Sequence, residues 1–66
     1  MKKITLKAAR VNAGFTQKQA ANKLKVNQRT VLNWENGTSS PTSKMIDRIC
    51  ELYGFDYNEI SFYNES

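Results

Sequence analysis

The chain has 66 residues, of which 39% are hydrophobic and 24% charged, enough for one small globular core and too little for two. It has no histidine and a single cysteine, Cys50, which excludes an imidazole-based triad, a multi-cysteine zinc site and an internal disulfide. The net charge of +4 is split unevenly: residues 1–34 hold eight basic side chains and no acid, and residues 35–66 hold six acids against Lys44 and Arg48, so the halves carry +8 and −4.

The basic start MKKITLKAAR is followed by no apolar run, so it reads as neither a secretory signal nor a membrane span, and the expected location is the cytoplasm. Leu6, Ala9, Arg10 and Ala13 then recur at i, i+3, i+4 and i+7, which predicts a helix that Gly14 can stop with a positive φ. Thr16 and Gln19 form the signature of a capping box, with Phe15 and Ala20 at the flanking staple positions. A second helix is expected to about Leu24, burying Ala20, Ala21 and Leu24. Asn27 is the next N-cap candidate, opening a third helix from about Gln28 to Glu35 that Asn36-Gly37 ends.

Thr38-Ser39-Ser40 reads as a loop, and Pro41 suits the first turn of a fourth helix. There Met45, Ile46, Ile49, Cys50, Leu52 and Tyr53 make a broad apolar stripe ended by Gly54. Asp56 and Glu59 are spaced for an acidic capping box on a short fifth helix containing Tyr57 and Ile60. The tail from Phe62 is expected to fray. No alternating run bounded by hairpin turns predicts a strand. The fold expected is therefore all-α: one domain, a bundle of five short helices spanning 1–66.

The chemistry lies in residues 17–36, QKQAANKLKVNQRTVLNWEN. Two helices joined by Lys25, Val26 and Asn27 must cross steeply, which requires small side chains at the crossing, and Ala21 meets that need. At about 100° per residue, Val31 and Trp34 share an inward stripe, whereas Gln28, Arg29, Leu32, Asn33 and Asn36 fall on the other side. Amides pair bidentately with adenine, a guanidinium with guanine, and an apolar group touches a thymine methyl. Taken singly, Gln28 and Asn33 also suit an ordinary solvated surface. The basic first half attracts a polyanion, with nucleic acid the commonest such partner and an anionic membrane surface the second; on charge alone a solvated face without a partner fits equally well.

The pattern LKAAR…G.TQ..AA..L.V….V..WE.G…P, from about Leu6 to Ile60, resembles the Cro/cI-like (XRE) helix-turn-helix family of phage and bacterial regulators. The resemblance implies a lambda repressor-like DNA-binding domain whose helix-turn-helix occupies about 17–36. It places Gln28, Arg29 and Asn33 at base-contact positions in the major groove of double-stranded DNA, with Leu32 beside them either as a further base contact or as cover for the edge of the core. Asn27, Thr30 and Asn36 fall at phosphate positions, and Gln17, Lys18 and Lys44 are placed to hold the DNA backbone. Lys25 departs from the glycine often found at this turn, where a left-handed backbone is implied; lysine adopts that conformation at roughly 1 kcal/mol more than glycine, so the turn is expected to be slightly strained or slightly altered, and Lys25 adds a cation near the DNA.

The resemblance also implies a partly buried ion pair between Arg10 and Glu35. Tyr57, Ile60, Phe62 and Tyr63 are candidates for a homodimer contact and equally for core cover. Cys50 is expected to be a small core residue, with a redox sensor as the lesser alternative. No catalytic constellation, metal site or cofactor site is expected. The function implied is a transcriptional regulator, a repressor acting as a dimer on a palindromic operator. The competing reading is an antitoxin-like or phage-partner module that engages another protein through its acidic C-terminal half.

Overall fold

The computed structural model describes residues 3–62. The chain runs through strand β1 (Ile4–Thr5), helices α1 (Leu6–Asn12), α2 (Gln17–Leu24), α3 (Gln28–Asn36) and α4 (Ser43–Tyr53), a single 3-10 turn (Tyr57–Glu59) and strand β2 (Ile60–Ser61). Among the described residues four helices thus stand where five were expected. The Asp56 segment closes only one turn, held by Asp56 N–H donating to Glu59 Oε1 at 2.8 Å and Glu59 N–H donating to the Asp56 carbonyl at 2.9 Å.

The second departure is the small sheet. β1 and β2 pair in parallel, Ile4 opposite Ile60 and Thr5 opposite Ser61. Two residues per strand leave no alternation to detect in the sequence. The pairing forms because the helical body between them brings the two ends of the fold together, where Leu6, Ile60 and Phe62 are all buried.

Helix starts follow their caps. Thr5 Oγ1 accepts from Ala8 N–H at 3.0 Å, and Thr16 and Gln19 complete the reciprocal box with bonds of 3.1 and 2.9 Å. α4 begins later than Pro41 suggested: Thr42 is its N-cap, accepting from Met45 N–H at 3.3 Å, and the buried Pro41 precedes the helix instead of opening it. Asn27 stands at the N-cap of α3 with extended backbone but makes no side-chain capping bond.

Helix ends share one solution. After each helix a left-handed residue turns the chain, with φ of +88° at Gly14, +60° at Lys25, +79° at Gly37 and +78° at Gly54. The next residue's N–H then bonds back across the last turn: Phe15 to Arg10, Val26 to Ala21, Thr38 to Asn33 and Phe55 to Cys50. This is the Schellman arrangement, which satisfies carbonyls the helix leaves open. Lys25 is the one non-glycine among the described residues with positive φ, so the turn keeps the left-handed conformation and is strained instead of altered.

Ala9, Ala20, Ala21, Leu24, Val31, Trp34, Ile46, Ile49 and Tyr53 make the centre of the core. Ala21, expected at the crossing of α2 and α3, is buried at 3% exposure. Met45, Cys50 and Leu52 lie half-buried at its margin. The expectation that the chain frays from Phe62 fails at that residue, which is 4% exposed and packed in the core; its large ring gains more from burial than the backbone loses in freedom. Tyr63, and the rest of the expected frayed tail, lie outside the described residues.

Candidate nucleic-acid interface

The site begins with the packing of α3. Val31 and Trp34 anchor its inner side at 1% and 9% exposure. That rotation leaves Gln28, Arg29 and Asn36 exposed and Leu32 and Asn33 half-buried. Among the described residues no side-chain hydrogen bond engages Gln28, Arg29 or Asn33, so their donors and acceptors remain open to a ligand. Gln28, Arg29 and Leu32 line a shallow depression together with Gln17 from the first turn of α2.

Behind this face one carboxylate ties three helices together. Glu35 Oε2 on α3 accepts from Arg10 Nε on α1 at 2.7 Å, and Glu35 Oε1 accepts from Arg10 Nη2 at 3.4 Å and from Gln17 Nε2 on α2 at 3.0 Å. Arg10 Nη1 also donates to the Phe15 carbonyl at 2.7 Å, fixing the loop between α1 and α2. The Arg10 and Glu35 side chains are 8% and 5% exposed. The expected ion pair is therefore present and deeper than a surface pair. α4 joins through Tyr53: burial first, then the nearby Glu35 charge, push its hydroxyl pKa up to about 12, with Arg10 opposing. Tyr53 also meets Phe15, with ring centroids 6.3 Å apart.

Gln17 was expected to hold the DNA backbone, and its side chain is engaged elsewhere. Its amide turns inward to Glu35, so the part of Gln17 suited to an anion is its backbone N–H. With Lys18 N–H, it lies in the first helical turn, where donors lack partners within the helix. Lys18, Lys25, Asn27 and Lys44 are exposed and Thr30 is half-buried. The missing cap at Asn27 leaves its side chain open. Ile60 and Phe62, candidates for a contact between two copies, are 1% and 4% exposed; they cover the core and offer no surface. Tyr57 of that set is 52% exposed and stacks on Phe62 at 5.6 Å and 13°.

Asp47, Glu51, Asp56 and Glu59 are exposed on α4 and the segment after it, apart in sequence from the cations of α2 and α3. Burial, then Asp47 and Asp56, push the Cys50 thiol up, which opposes the thiolate form a redox sensor needs. Among the described residues no group of three or more histidine, cysteine, aspartate or glutamate side chains could hold a metal ion. Among the described residues no helix is long and apolar enough to cross a membrane.

HTH-type transcriptional regulator ImmR of Bacillus subtilis (strain 168) is 36% identical over a 67-position alignment covering 92% of this chain and 53% of that protein. The chain thus spans about half the length of the curated relative it matches. No solved structure matches it significantly. The helix-turn-helix family profile matches residues 6–60, which take in the four described helices and the face described above, and the chain accordingly belongs to the XRE-type helix-turn-helix family.

Proposed function

We infer that the chain binds double-stranded DNA sequence-specifically and represses transcription by occupying a palindromic operator as a homodimer, acting in the cytoplasm on the bacterial or phage genome. The observation that carries this reading is the outward side of α3, where Gln28, Arg29 and Asn33 stand with unengaged polar ends while Trp34 and the Arg10–Glu35 pair hold the helix from behind. In this reading Gln28, Arg29 and Asn33 read base edges, with Leu32 beside them. Lys18, Lys25, Asn27, Thr30, Asn36 and Lys44, with the first-turn N–H groups at Gln17 and Lys18, hold phosphates and set the angle of approach. Tyr57 is the exposed ring available to a second copy.

Selection of bound fragments from random duplexes at two salt concentrations tests the reading. Enrichment of two related half-sites about one helical turn apart, roughly 34–36 Å, is the expected result. Uniform recovery of all sequences at moderate salt would leave only a basic surface without base readout and would end the proposal.

A further inference from the structure

Asn36 and Gly37 meet at the end of α3, and the pair carries a reaction that DNA binding does not use. An asparagine side-chain amide can be attacked by the main-chain nitrogen of the next residue, most easily where that residue is glycine and has no side chain to crowd the nitrogen. The Gly37 nitrogen bonds to Asn36 Cγ, the Cγ–Nδ2 bond breaks, and Nδ2 leaves as ammonia with the proton that the Gly37 nitrogen gives up. Water then opens the five-membered ring at either carbonyl, leaving a carboxylate at position 36 on a normal or an isoaspartyl backbone. No other asparagine of the chain is followed by glycine.

The structure puts a lock on this bond. Asn36 is exposed, so water reaches its amide. The Gly37 nitrogen is turned toward the helix instead: its N–H donates to the Trp34 carbonyl at 3.3 Å, and the Thr38 and Ser39 N–H groups donate to the Asn33 carbonyl at 2.9 and 3.3 Å. A nitrogen held in that way cannot reach Cγ, so the reaction waits until the last turn opens. Buried Trp34 and the bond of Glu35 to Arg10 hold that turn from inside, yet helix ends open more readily than their centres. We propose that Asn36–Gly37 is a deamidation site gated by the end of α3, and that conversion retires the copy by setting a carboxylate where a neutral amide faces phosphate. The consequence rests on the phosphate-holding role of Asn36 proposed above; the reaction itself needs no DNA.

Peptide mass spectrometry of the full chain, aged at mildly alkaline pH in buffer, in urea and on its selected operator, reads the site directly. Position 36 should convert ahead of every other asparagine, about tenfold or more slowly in buffer than in urea, and more slowly again on the operator, which favours the closed helix. Conversion first at another asparagine, or at one rate in buffer and urea, would overturn the gated site. Asn36→Asp carries the charge of the product and should bind the operator about fivefold more weakly at low salt, with the deficit shrinking as salt rises. The neutral Asn36→Ala should lose less, and equal losses in the two variants would overturn the charge effect. Failure to find any preferred operator would overturn the phosphate-holding role, while the comparison of buffer with urea still decides the site.

Discussion

At Arg10 and Glu35 an ionic contact is buried deeply enough to matter for stability, with the two side chains 8% and 5% exposed. Exposed pairs contribute little, but removing one partner of a buried pair leaves an uncompensated charge. Glu35→Ala should therefore cost about 3–5 kcal/mol in denaturant unfolding. The double variant Arg10→Met, Glu35→Leu should cost clearly less than the two single changes together, because no charge is then stranded. Equal losses from Glu35→Ala and from an exposed charge such as Glu51→Ala would show that the pair is solvated in solution. Tyr53 adds a pH test. Its folded pKa of about 12 lies above the ordinary tyrosine value of 10.0, so folding holds the proton more tightly, and the associated stability is complete below about pH 10 and declines as pH rises through 12. Tyr53→Phe should flatten the wild-type decline in melting temperature over that window. For Arg29 the expected effect is on recognition: Arg29→Ala should lose about 1–3 kcal/mol on the selected operator and far less on random DNA, and equal losses on both would move it to the phosphate group.

Among the elements, the link between α2 and α3 is the informative one. All four helices end on a left-handed residue, yet only this link uses a side-chain-bearing one, Lys25 at φ +60°. An L-residue there costs roughly 1–2 kcal/mol relative to the right-handed conformation, a penalty that glycine escapes. Lys25→Gly should therefore raise unfolding stability by about 1 kcal/mol. If the lysine also neutralises a phosphate, the same variant should reduce the salt slope of DNA binding by about one unit. A stabilised protein with an unchanged salt slope would show that the cation has no phosphate partner. The two readouts separate a residue kept for the fold from one kept for the ligand.

For the whole molecule, the end of the described chain is part of the structure. β2 pairs with β1, and Phe62 is packed in the core at 4% exposure while stacked under Tyr57. Phe62→Ala should cost about 3–5 kcal/mol of stability, the range for removing a buried ring, which thermal or denaturant unfolding would detect. Sedimentation of the variant at concentrations where it remains folded should match that of the native chain. A change in self-association without a change in stability would mean that Phe62 contacts a second copy instead of its own core.

Local order was legible in residues 6–54 because each helix carries its own signals. Caps such as Thr16 with Gln19, stops such as Gly37 and Gly54, and the inward pair Val31 and Trp34 act within one or two turns, and they also determined which side of α3 is left bare. What the tertiary structure alone decided lies at longer range: the Ile4–Ile60 ladder, the burial of Phe62, the inward turn of Gln17 onto Glu35 and the shallow spot beside Leu32. None of these has a local pattern, since two-residue strands show no period and a glutamine amide has no preferred partner until packing brings a carboxylate within 3.0 Å.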